Sequence, residues 1–242
     1  MEITLSVAGH FAYLLLLALI ALPVLGLSIS SKIRKIRKFK PLVFSIFTVA
    51  PIYIVWDEYA VLIGTWKFNH SYIIGLYLWL IPVEEILFFI IVPFATLLIY
   101  EGLFMLKGVS SKVFQWPGIA AGLILVGFGI VNWQHSYTIF AFIFAGMALI
   151  FMATLEPQML FSSRLWAFMA ISYIPFVVFD HIMVTLPIFT YGKNVTLGIY
   201  IFSIPLEEYV YVFSLLLFYV LAYNFYQERH LKPISKERTS VS

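Results

Sequence analysis

The chain has 242 residues, 62% of them hydrophobic and 11% charged, with a formal net charge of +3 and a mean hydropathy of +0.98. Soluble domains carry about 25% charged residues, so a water-soluble globule is excluded and the chain reads as all-α and membrane-integral. The absence of cysteine excludes disulfides, thiolate metal sites and cysteine nucleophiles.

Apolar runs of about 17 to 25 residues span a bilayer. Seven are predicted, over residues 8–29, 41–63, 73–100, 117–132, 137–155, 165–187 and 197–225. Basic residues follow the first run instead of preceding it, so it reads as an ordinary helix and not as a cleaved signal. Lys32, Arg34, Lys35, Arg37, Lys38 and Lys40 fill the loop after it. Lys107, Lys112, Arg164, Arg229, Lys232, Lys236 and Arg238 fall at every second connection thereafter. The positive-inside rule then predicts a multi-pass cell-membrane protein with its N-terminus outside and its C-terminus in the cytoplasm. Beside a membrane helix the basic loop reads as an orienting segment that meets membrane lipids, not as a nucleic-acid patch.

A shift of 123 positions, with no gap, lays Asp57 on Asp180, Gly75 on Gly198 and Tyr77 on Tyr200. The same shift lays Ile81, Pro82, Glu84 and Glu85 on Ile204, Pro205, Glu207 and Glu208. This is an internal duplication. It predicts a repeat of three helices over residues 1–107, a glycine-rich linker helix over 108–133, a second repeat over 134–226 and a polar cytoplasmic tail over 227–242. An odd linker makes the repeats parallel, so a shared site is expected between them.

Ionisable groups inside a membrane cost on the order of 3 kcal/mol and mark functional sites. Glu84, Glu85, Glu207 and Glu208 are therefore candidate catalytic acids, joined by Asp57 and Asp180 nearer the outer surface. At 1.5 Å per residue, Glu84 and Glu207 are expected roughly 16 Å below the outer helix ends. Successive helical residues point about 100° apart, so one member of each pair acts and the other orients it. Pro82 and Pro205, read as helix-interior, are expected to free the carbonyls of Leu78 and Ile201 and to bend each helix beside its acids. Apolar surroundings favour the neutral, proton-donating form of a carboxyl. Trp56, Trp66, Tyr77, Phe88, Phe89, Tyr200 and Tyr211 lie near these acids in sequence as candidate substrate-binding rings, which attract cations.

Trp56-Asp57, Gly64, Trp66, Phe68 and Ile81-Pro82-Val83-Glu84-Glu85 with Phe88-Phe89 resemble the signature of the membrane-integral lycopene cyclases. Asp180-His181, Pro187, Phe189, Tyr191 and Ile204-Pro205-Leu206-Glu207-Glu208-Tyr209 with Tyr211 resemble that family's more divergent second unit. The resemblance implies an isomerase that closes β-rings on both ends of lycopene, via γ-carotene to β-carotene, without net redox change. It further implies Glu84 or Glu207 as proton donor, Glu85 and Glu208 as orienting acids, and Asp57 and Asp180 as relays or cation stabilisers. The substrate is expected to enter from the bilayer, and association with other carotenoid-pathway enzymes is compatible with this.

No dinucleotide fingerprint is present, so no flavin or nicotinamide cofactor is expected. The five histidines are scattered, so no metal is expected; His181 beside Asp180 is a candidate proton partner. The alternative is a proton-coupled transporter with the three-one-three parallel repeats of the SWEET type. A retinal protein is disfavoured because 197–225 contains no lysine for a Schiff base.

Overall fold

The computed structural model describes residues 9–103 and 114–230. Its main helices are α1 (Ala12–Ile29), α2 (Phe39–Leu62), α3 (Val83–Gly102), α4 (Trp116–Val131), α5 (Ser136–Leu155), α6 (Ser163–Thr185) and α7 (Leu206–His230). All but α4 are long and apolar enough to cross a membrane, as expected of a multi-pass helical membrane protein. α4 has 16 residues and rises about 24 Å, short of a hydrocarbon core of about 30 Å. Among the described residues, six helices of spanning length therefore stand where seven were expected. Of the basic residues used to orient the chain, Lys107, Lys112, Lys232, Lys236 and Arg238 lie outside the described residues.

The third and seventh helices start later than the apolar runs suggest. Residues Tyr77–Leu78 (β2) pair with Ile81–Pro82 (β3), and Tyr200–Ile201 (β5) pair with Ile204–Pro205 (β6), each as a short antiparallel hairpin. Gly75 (φ 84°) and Gly198 (φ 76°) turn the chain into these hairpins, a conformation open to glycine at little cost. Trp79, Phe202 and Ser203 sit at the tips with positive φ. Pro82 and Pro205 are thus not helix-interior residues. Pro82 is the N-cap of α3 and Pro205 immediately precedes α7, where a missing N–H and a locked φ suit a helix start. The bend expected from them does not arise, and Glu84, Glu85, Glu207 and Glu208 lie in first helical turns, not at mid-helix.

A third strand pair joins the two halves. Trp66–Phe68 (β1) runs antiparallel to Phe189–Tyr191 (β4), with Trp66 opposite Tyr191, Lys67 opposite Thr190 and Phe68 opposite Phe189. Lys67 and Thr190 are counterparts under the 123-residue shift, so the central residue of each strand faces its own equivalent. Self-complementary pairing of this kind is what a local twofold produces.

Below the strands, side-chain hydrogen bonds tie α2, α3 and α7 together. Ser45 Oγ donates to Tyr219 O (2.9 Å), Tyr219 Oη to Phe89 O (2.9 Å), and Tyr53 Oη lies 2.7 Å from Ser214 Oγ. In hydrocarbon no water substitutes for such partners, so these bonds hold the three helices in register. At the end away from the strands, Glu101 takes Arg37 Nη1 (3.3 Å), Lys38 N (2.9 Å) and Tyr223 Oη (2.6 Å). Desolvation lowers the Arg37 pKa, and Glu101 offsets part of that. α4 packs on α5 through glycines: a Cβ at Gly122 would meet Gly146 O at 2.6 Å, and one at Gly146 would meet Gly122 O at 2.5 Å.

Candidate active site

Beneath the β1–β4 ladder lies a cavity of about 450 Å³ of empty space, its mouth included, walled by both halves. Asp57 and Glu85 reach it from α2 and α3, Asp180 and Glu208 from α6 and α7. α2 ends at Leu62, so Asp57 is about 8 Å from that end, and the cavity occupies the strand-side portion of the bundle. Asp57, Asp180 and Glu208 are 2%, 6% and 8% exposed. No lysine or arginine lines the cavity.

The two members of each Glu-Glu pair have different tasks. Glu84 Oε1 accepts Ile74 N at 2.7 Å, and Glu207 Oε1 accepts Leu197 N at 2.7 Å and Thr138 Oγ1 at 2.6 Å. These acids hold the loops before the hairpins and do not line the cavity. Ile74 and Leu197 are counterparts under the shift, so the device occurs in both halves. Glu85 Oε2 and Glu208 Oε1, which do line it, accept Tyr13 Oη (2.6 Å) and Tyr191 Oη (2.7 Å). Burial, then the Glu208 charge, raises the Tyr191 pKa well above the ordinary phenol value, so Tyr191 stays a donor.

Asp57 and Glu85 are within hydrogen-bonding reach of each other. The remaining oxygens Asp57 Oδ2 and Asp180 Oδ2 are buried without a partner. Unsatisfied buried polar atoms are uncommon and call for an explanation; these two belong to residues that line the cavity, whereas Glu84 Oε2 and Glu207 Oε2, equally unpaired, do not.

Of the rings singled out from sequence, Trp66, Phe88 and Tyr211 line the cavity, with Phe68, Phe179 and Phe189 beside them. Phe88 and Phe179 stack across the halves at 5.9 Å. Trp56 and Phe89 lie behind the wall: Trp56 packs on Phe140 at 4.0 Å, and Phe89 is fully buried against Tyr53. Tyr77 and Tyr200 are on the hairpins, 37% and 57% exposed, and do not share a helical face with the acids. His181 Nδ1 lies 2.9 Å from Phe202 O, anchoring a hairpin tip. Its counterpart, Glu58, holds the other tip through Leu80 N (3.0 Å) and Ile81 N (3.3 Å).

Tyr13 and Tyr137, both lining the cavity, were not singled out from sequence. They escape the gapless comparison because Tyr137 is one residue beyond the position matching Tyr13. A comparison allowing one insertion near Ser136 would have paired them.

A family model described as lycopene cyclase matches residues 10–103 and 134–226, one stretch in each half. The chain belongs to the lycopene cyclase family. No curated protein and no solved structure matches it.

Proposed function

From this family membership we propose that the chain is a lycopene β-cyclase acting by acid–base catalysis at the cavity between its halves. The observation that carries the reading is four carboxyls from both halves, Asp57, Asp180 and Glu208 buried and Glu85 half-buried, converging on one aromatic-walled cavity without a lysine or arginine. Cyclisation needs a proton donor, a shelter for a carbocation and a proton acceptor. The cavity carboxyls supply the first and last. Phe88, Phe179, Trp66 and Tyr211 supply the shelter through their ring faces and by excluding water.

In this reading Asp57, Glu85, Asp180 and Glu208 carry the chemistry. Glu84 and Glu207, for which the family resemblance implied the donor role, keep the hairpin loops in place. The repeats stand parallel about a twofold along the membrane normal, with strands and hairpins at the outer surface and the Arg37–Glu101 cluster at the cytoplasmic side, in line with the placement of basic residues. The polyene enters sideways from the bilayer.

Cells that accumulate lycopene are expected to convert it to β-carotene when they express this chain, as read by chromatography of the extracted pigments. Unchanged lycopene with the protein confirmed in the membrane sinks the reading in favour of proton-coupled transport.

A further inference from the structure

The four cavity carboxyls are held in unlike ways. Ionised carboxylates only accept hydrogen bonds, so Asp57 and Glu85, which are within reach of each other, can bond only when the pair holds a proton. In the other half, among the described residues, no hydrogen bond joins Asp180 to Glu208. Glu208 instead accepts Tyr191 Oη at 2.7 Å, and the Tyr137 hydroxyl also faces it, though without a well-formed bond. Two phenols turned towards one carboxyl suit an anion, since phenols donate. Part of the difference lies at one position: Tyr191 is the counterpart of Phe68, so Glu85 accepts a single phenol, Tyr13 Oη at 2.6 Å, where Glu208 has two turned towards it.

We infer that the halves divide the reaction, the Asp57–Glu85 pair delivering the proton that starts ring closure and Glu208, positioned by Tyr191, removing the proton that ends it. This rests on the cyclase reading above. A proton passes from the pair to the terminal alkene of the polyene, whose π electrons form the new C–H bond and leave a tertiary cation. The π electrons of the facing alkene then form the ring C–C bond and carry the charge into the ring. Glu208 takes the proton from the ring carbon beside the charge, and that C–H pair becomes the ring double bond. The acid pair ends one proton short and Glu208 one proton richer, with no oxidant or reductant required. Asp180, which interacts electrostatically with both Glu208 and Glu85, stands where it can return the proton.

The test compares pigments in lycopene-accumulating cells expressing the full chain and its variants, with membrane yield and thermal unfolding recorded for each. Asp57→Asn and Glu85→Gln are expected to lower lycopene consumption at least about a hundredfold, the usual scale of lost general acid catalysis. Glu208→Gln is expected to keep consuming lycopene but to divert the cation, giving hydroxylated rings or rings with a displaced double bond. Tyr191→Phe, which keeps every carboxyl, is expected to divert part of the product in the same way. The division is overturned if Glu208→Gln leaves lycopene as untouched as Asp57→Asn does. It is equally overturned if Asp57→Asn still turns over, or if Glu208→Gln and Tyr191→Phe yield only the wild-type ring. An inert wild type instead overturns the cyclase reading itself.

Discussion

Glu84 and Glu85 are adjacent, yet one binds a loop amide and the other faces the cavity. The helical step of about 100° separates them, and the sequence reading already required one to act and one to orient. Which is which depends on where Ile74 lies, and that follows from the fold of the hairpin, not from the helix. Glu84→Gln keeps an acceptor for Ile74 N, so a folded and active protein is expected from a pigment assay. Glu84→Ala leaves that amide unpaired, at a cost of about 1–3 kcal/mol, and is expected to lower the melting temperature in detergent. If Glu84→Gln is inactive at an unchanged melting temperature, Glu84 belongs to the reaction after all.

Among the elements, the hairpins before α3 and α7 were the least legible. Residues 73–82 and 197–205 are as apolar as the helices they precede, and a hydropathy run does not register where a helix begins. The cue lay in the spacing of Gly75 from Pro82 and of Gly198 from Pro205, since glycine and proline flanking a short run mark a turn and a helix start. α4 was easier to locate, its linker role following from the mapping of the repeats, though the packing use of its glycines was not read from sequence. They let α4 and α5 touch backbone to backbone. Gly146→Ala places a methyl within about 2.5 Å of Gly122 O, and overpacking of this kind costs about 1–3 kcal/mol. A lower melting temperature with an unchanged pigment product is expected, because neither glycine lines the cavity. Loss of product at an unchanged melting temperature would tie the hairpin of α4 and α5 to the reaction.

For the whole molecule, the duplication was the most legible feature, because Asp57/Asp180 and Pro82-Val83-Glu84-Glu85/Pro205-Leu206-Glu207-Glu208 recur at one offset. The β1–β4 ladder was not legible, since a three-residue pairing between distant segments has no local periodicity to reveal it. It matters because the cavity walls come from both halves and are held together by contacts, among them the ladder and the Ser45–Tyr219 and Tyr53–Ser214 bonds between α2 and α7. Cutting the chain between residues 103 and 114 is therefore expected to leave a functional enzyme when both pieces are co-expressed, and none when either is expressed alone. Activity from one piece alone would refute the composite cavity.

That cavity has one consequence for how a molecule with two identical tails is finished. On the proposed cyclase reading, a tail that has been closed must back out before its twin goes in, so a half-finished pigment is expected to return to the lipid and compete with fresh lycopene for the same berth. Loading membranes with excess lycopene should then raise the share of one-ringed product, and starving them of it should drive that share towards zero. A ratio of one-ringed to two-ringed pigment that ignores the lycopene load would mean that both tails are processed before release.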